Sequence, residues 1–342
     1  MASDAPPFWW DKPDWRAYAL LPVSVLYGAV TRRRMHAAGR AKIDLPVLCI
    51  GNLTVGGAGK TPVAIALAQT AAMLDLKPGF LSRGYGGSLT GPHLVNPRHD
   101  SAKHVGDEPL LLAEHAPVAV TPNRALGAKL LAEQGCEFLI MDDGFQSARL
   151  HFDYALLVVD ARRGIGNGHV IPGGPMRAPL LDQLRLADAV LKMGEGDAAD
   201  LVIRRAARAG KPIFEAAARA RLKNGIAGKR FLAFAGIGNP QKFSDTVGAA
   251  GGAVAMTRSF GDHHFYQDDE LADLRTLAEA EELEIITTAK DAVRLRHGSP
   301  AAQTLLDRLH VLQIDAVFEP HQTAERIIRD TLGNWRERRI GA

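Results

Sequence analysis

The stretch LCIGNLTVGGAGKTPVAIALAQTAAMLD, residues 48–75, constrains this chain more than any other. A short apolar run, residues 47–50, reads as a buried strand. A glycine-rich turn follows, then Lys60-Thr61, then Ala64, Leu67, Ala68 and Ala71 at helical spacing. Strand, glycine loop and helix in that order make a P-loop, whose backbone N–H groups and helix N-terminus cradle phosphates. In such a loop the lysine reaches the β- and γ-phosphates and the hydroxyl reaches Mg²⁺. The candidate phosphate-binding residues are Thr54, Val55, Gly56, Gly57, Ala58, Gly59, Lys60 and Thr61. Thr54 stands where the general pattern G-x-x-x-x-G-K-[ST] has its first glycine, but Gly56, Gly57 and Gly59 still permit positive φ. The loop specifies a nucleoside triphosphate and does not choose between kinase, GTPase and ATPase.

The run CEFLIMDDGFQ, residues 136–146, is apolar until it ends in Asp142 and Asp143. It predicts a fully buried parallel strand carrying acids at its C-terminal end, where an aspartate holds Mg²⁺. The plainer alternative is a loop pair capping a turn. Further apolar runs alternate with helical patterns, which predicts an α/β fold: a mostly parallel sheet of the P-loop NTPase type flanked by helices. Arg83 falls in a loop after the strand of KPGFLSRGYGG, the end where open α/β sheets bind ligands. Arg162, Arg163 and Arg177 lie in a long Gly/Pro loop and suit an anionic ligand. Asp107-Glu108 begins a helix, so Asp107 reads either as an N-cap or as a placed acid.

With 342 residues, two domains are expected. Residues 215–228 are polar and lack a core pattern, and strand, glycine turn and helix restart at residues 229–243. The expected division is residues 1–35, a membrane-interface helix; 36–222, the P-loop domain; and 223–342, a smaller C-terminal α/β domain closing over the nucleotide. A net charge of +3 is too small to argue for nucleic acid, and none is expected as partner. Cys49 and Cys136 sit in apolar runs and read as buried thiols of a reducing compartment.

Three of the four tryptophans fall in the first fifteen residues, followed by the apolar run 19–30 and by Arg32, Arg33 and Arg34. The run is too short to span a bilayer, which takes about 20 residues. Its charge follows the apolar part, the reverse of a signal peptide. An amphipathic helix lying in an anionic bilayer surface fits, and so does a helix docked on the protein body.

Guanine recognition is disfavoured: in Thr288-Ala289-Lys290-Asp291 the Lys and Asp are adjacent and cannot take the spacing of N-K-x-D. A kinase, or a P-loop ATPase switch acting on a protein partner, remains. Asp107 and the Asp262-His263-His264 loop favour the kinase, since an Asp and a His brought together can handle a hydroxyl proton.

The motifs GNLTVGGAGKTP, LSRGYGG, GDEP, MDDGFQ, DARRGIGNG, IPGGPMRAPL, AGIGNPQKF, FGDHHFY and TTAKDAVRL occur in an order that resembles the tetraacyldisaccharide 4′-kinases of Gram-negative bacteria. The resemblance covers nearly the whole chain, and Thr54 agrees with it. It implies transfer of the γ-phosphoryl of ATP, with Mg²⁺, to the 4′-hydroxyl of a membrane-embedded tetraacylated disaccharide 1-phosphate in lipid A synthesis. It also implies a peripheral enzyme at the cytoplasmic face of the inner membrane, with no obligate protein partner evident. Lys60 is implied as the P-loop lysine, Thr61, Asp142 and Asp143 as the metal set, Asp107 as the base and His263 as its partner. Arg83, Arg162 and Arg177 are expected at the substrate.

Overall fold

β1 (Val47–Asn52) is buried at every position and lies between β5 (Phe138–Asp142) and β6 (Tyr154–Asp160), parallel to both. In this computed structural model Leu48 and Ile50 join one core cluster, and Val47 and Cys49 join the cluster on the other side of the sheet. A strand buried on both faces needs helices on both, and its apolar run is continuous for that reason. The structure describes residues 5–37, 39–147, 149–222, 225–238 and 240–341. Residues 1–4 of the N-terminal segment, 223–224 at the expected boundary and Asn239 of AGIGNPQKF lie outside the described residues.

The other strands are β2 (Pro78–Ser82), β3 (His93–Leu94), β4 (Val118–Val120), β7 (Ala189–Met193), β8 (Ile213–Arg221), β9 (Arg230–Ala235), β10 (Ala253–Ser259), β11 (Glu284–Thr288) and β12 (His310–Glu319). Among the described residues they form one sheet, in the order β10-β9-β11-β12-β8-β7-β6-β1-β5-β2-β4-β3. Neighbours are parallel except β3–β4 and β8–β12. The helices are α1 (Trp15–Ala19), α2 (Leu21–Met35), α3 (Lys60–Met73), α4 (Ala102–Val105), α5 (Asp107–Ala113), α6 (Arg124–Glu133), α7 (Leu180–Leu186), α8 (Asp200–Arg208), α9 (Pro240–Ala249), α10 (Asp268–Ala280), α11 (Ala289–Arg296), α12 (Pro300–Leu306) and α13 (Gln322–Ile340). α3 and α13 pack together on one face.

Residues 213–221, within and before the stretch that reads as a polar boundary, form the long strand β8. It pairs antiparallel with β12 from Glu215↔Glu319 to Arg221↔Gln313. Phe214 and Ala216 face inward with Glu215 exposed between them, so small alanines carry part of a face that larger apolar residues usually mark. Beyond β12, separate clusters around Leu232, Phe234 and Leu274, and around Phe231, Phe243 and Ile286, form the core of the second half.

α2 is amphipathic in reverse. Ser24, Gly28, Thr31 and Met35, at helical spacing, face the protein. Val23, Val25 (63% exposed), Leu26 (67%), Tyr27 and Val30 face outward. A helix on a water-facing surface shows the opposite arrangement. No helix among the described residues is long and apolar enough to cross a membrane.

Candidate active site

The phosphate loop is shaped from the end of β1. Asn52 is buried and donates from Nδ2 to Thr54 O at 2.6 Å and to Gly56 O at 3.2 Å. That draws carbonyl oxygens toward the strand. Gly56 (φ +94°) and Gly59 (φ +87°) take left-handed conformations that L side chains resist, and Gly59 caps α3. From Lys60 onward the first helical N–H groups have no intrahelical acceptor, which makes this end of α3 an anion site. Thr61 is buried one residue further on.

Asp142 and Asp143 close β5 beside this loop. Asp143 turns left-handed (φ +54°), an uncommon state for an aspartate, and its amide donates to Ile50 O at 3.1 Å. Its carboxylate receives Arg177 Nη1 at 2.9 and 3.0 Å, and Lys60 Nζ stands 3.6 Å away. Burial opposes its charge, but Lys60 and Arg177 hold Asp143 well below the usual carboxylate range. Asp142 behaves oppositely: burial, then the Glu108 carboxylate, push it up to about 7 against the pull of Lys60. Its Oδ1 is buried and without a hydrogen-bond partner among the described residues. Arg124, buried behind the pair, donates to Asp142 O at 3.4 Å.

The two halves of the chain meet at Asp107, the first residue of α5. His263 Nδ1 lies 3.1 Å from Asp107 Oδ2. Arg294 of α11 donates to that oxygen from Nε at 3.0 Å and also from Nη2. Glu108 N donates to Oδ1 at 2.8 Å. Burial disfavours the Asp107 anion, yet His263, Lys290 and Arg294 together hold the carboxyl far below its ordinary range. The Asp107 hydrogen bond raises His263 in return, despite burial. Lys290 pairs with Glu108 at 2.5 Å. Arg294 Nη1 donates to Asp291 Oδ1 at 2.7 Å and to Gly236 O at 2.8 Å. His263 N also donates to Gly236 O, at 3.2 Å, and His263 is left-handed (φ +60°). The Arg294 network therefore also sets the turn that delivers His263. His264 goes elsewhere, to Glu270 at 2.8 Å and onto the Phe260 ring.

The three expected arginines separate. Arg177 reaches the loop, donating from Nε to Thr54 O at 3.1 Å in addition to its Asp143 pair. Arg83 stands exposed at the head of the loop after β2, whose Tyr85 ring lies 5.4 Å from that of His263. Arg162 is 60% exposed along its side chain and pairs with Asp245 of α9 at 3.7 Å. Neighbouring Arg163 instead lies over the Trp10 ring, 4.7 Å from its centroid. Sequence reasoning did not single out Arg124, Arg294 or Tyr85. Arg294 lies on α11, a segment for which the sequence carried no helix signal singled out above.

A P-loop at the C-terminal end of a central parallel strand, an acidic strand end beside it and an Asp–His pair drawn from both halves define a phosphotransferase of the P-loop class. The family model for LpxK, tetraacyldisaccharide-1-P 4′-kinase, matches residues 16–332, and the chain belongs to that family. It is 66% identical over 341 residues to the tetraacyldisaccharide 4′-kinase of Mesorhizobium japonicum, covering 99% of each chain. It is 55% identical over 339 residues to that of Chelativorans sp., again covering 99% of each. A crystal structure of LpxK from Aquifex aeolicus, described as an "apo" form in complex with ATP, superposes with a TM-score of 0.72 at 26% identity, covering 92% of this chain and 99% of that one.

Proposed function

We propose that this chain transfers the γ-phosphoryl group of ATP to the 4′-hydroxyl of a tetraacylated glucosamine disaccharide 1-phosphate, a step of lipid A synthesis. Family membership and the named relatives support the reaction. The ATP in the Aquifex structure supports the donor. The observation that carries transfer to a hydroxyl, rather than hydrolysis, is the Asp107–His263 pair at 3.1 Å.

In this reading residues 54–61 hold the triphosphate, and Lys60 and Arg177 leave Asp143 for phosphate oxygens as charge develops in transfer. The donor set fits Mg²⁺, a hard cation that takes oxygen ligands: the Thr61 hydroxyl, Asp143, and Asp142 with its unpartnered buried oxygen. Bound there, Mg²⁺ would neutralise phosphate charge, and Asp142 would be ionised beside it. His263, Lys290 and Arg294 hold the Asp107 carboxylate ionised and make it a poor base, so in this reading the hydroxyl proton goes to His263 Nε2, with Asp107 fixing the ring through Nδ1. Arg83 and Tyr85 border the acceptor.

The outward apolar face of α2, with Trp15 and Tyr18 exposed before it and Arg32, Arg33 and Arg34 exposed after Val30, supports docking in an anionic bilayer surface, and the use of ATP as donor would put that surface on the cytoplasmic side. β12 and α13 share the core of α3 and β1, so the elements from β9 to α12 would move as the unit that brings His263 to Asp107. The test is purified protein with γ-labelled ATP, Mg²⁺ and the disaccharide 1-phosphate in detergent micelles. Label in the lipid at the 4′ position is expected; ATP binding with no labelled lipid overturns the reading.

A further inference from the structure

The N-terminal segment is built into the wall of the phosphate loop. Trp9 donates its indole N–H to Pro172 O at 3.0 Å, and its own carbonyl accepts from Asn167 N at 2.7 Å. Asn167 is 7% exposed, and its Nδ2 donates to Phe8 O at 3.3 Å and to Gly173 O at 2.8 Å. Gly173 N in turn donates to Ser24 Oγ of α2 at 3.0 Å. The same loop then crosses to the phosphate site. Pro175 O accepts from Val55 N at 2.9 Å, and Arg177 N donates to Leu53 O at 2.9 Å. Trp10 completes the wall: the nearest atom to a Cβ built on Gly56 is its Cζ2, at 3.9 Å. A segment that served only to touch lipid would need none of these bonds, because the outward face of α2 is separate from them.

We propose that Trp9, Trp10 and Asn167 are positioning residues of the phosphate-binding loop. Through them the N-terminal segment braces residues 164–177, and that loop holds Leu53, Thr54 and Val55 in the conformation that accepts a triphosphate. The inference rests on the ATP reading above. It makes nucleotide affinity depend on the segment even where no lipid is present, and it makes the Trp10 indole a reporter of nucleotide binding.

The experiment uses the full chain in detergent without acceptor, titrated with Mg²⁺ and the non-hydrolysable analogue AMP-PNP by calorimetry and by tryptophan emission. The wild-type protein binds, and its emission changes. Trp10→Phe abolishes most of that change, whereas Trp15→Phe keeps it. Asn167→Ala, which loses buried hydrogen bonds, and Trp9→Phe, which loses a half-buried one, weaken the analogue about ten-fold. In both variants the KM for ATP rises while the KM for the lipid acceptor stays put, a split that general destabilisation does not produce. Trp9→Phe is the milder change and keeps the test open if Asn167→Ala fails to fold. Affinity unchanged within about two-fold in Trp9→Phe, with an emission change that survives Trp10→Phe, overturns the inference. No calorimetric binding to the wild-type protein overturns the ATP reading itself, a separate outcome.

Discussion

His263 Nδ1 sits 3.1 Å from Asp107 Oδ2 across 156 residues of sequence, on the oxygen that also receives Arg294. The carboxylate raises the imidazole, since an adjacent anion favours the protonated ring. If His263 takes the hydroxyl proton, activity falls as pH drops through its raised pKa. Asp107→Asn removes the anion while keeping the shape, so the His263 pKa falls and the acid limb moves to lower pH. kcat falls about 10²–10⁴-fold, with ATP binding kept. A profile of kcat/KM against pH reads both effects, and a limb that does not move assigns the proton to another group.

Arg294→Met removes the guanidinium shared by two buried carboxylates, Asp107 and Asp291, and costs about 3–5 kcal/mol of stability near neutral pH. In the wild-type protein Asp107 is depressed, so its contribution is fully present above the unfolded carboxylate value of about 4 and declines only as pH falls toward the folded one. In the variant the folded value rises, because only His263 and Lys290 remain to offset burial. Protonation then relieves the penalty on mild acidification. Denaturation midpoints of the two proteins should therefore converge between about pH 7 and pH 4. A gap independent of pH would mean that Arg294 acts by packing alone.

Lys60→Met leaves Asp143 paired to Arg177 and removes one of the two cations standing over the acidic strand end. The loss of a charged donor to developing phosphate charge lowers kcat about 10²–10³-fold. The KM for the lipid acceptor should change little, and initial rates over a matrix of both substrates would show this. An equal loss in acceptor KM would place Lys60 at the acceptor instead.

Val25→Lys with Leu26→Lys puts charge on the outward face of α2. Both positions are solvent-facing, so stability stays within about 0.5 kcal/mol per substitution. Sedimentation with anionic vesicles should fall sharply. Gly28→Leu acts on the opposite face, where a Cβ already comes within 3.5 Å of Pro179, and it should lower thermal stability. Unchanged vesicle binding in the double-lysine protein would return the helix to a docked role.

The parts of this molecule written in local chemistry were legible in its sequence. The P-loop needed only an apolar strand, glycines at the turn and Lys60-Thr61, all within 30 residues. The acids at the end of β5 announced themselves in the same way. β8 escaped because IFEAAARAR carries its inner face on alanines, which signal neither strand nor core. Arg294 escaped because its partner lies 187 residues away, and a basic residue on a helix reads as solvated until the fold buries it. The choice between His263 and His264 was likewise not local. It follows from a left-handed turn fixed by Gly236 O and from the Glu270 carboxylate, which occupies the second imidazole.

The antiparallel junction of β8 and β12 bears on how the protein can be produced. Seven register pairs, Gln313↔Arg221 through Glu319↔Glu215, join the two halves edge to edge. Expressed as separate fragments divided after residue 222, each half would present a raw strand border to every other copy in the cell. Unsatisfied N–H and C=O rows of that kind recruit neighbours and precipitate. The chain is therefore best made and stored whole, and complementation from two co-expressed fragments should succeed only when both are synthesised together.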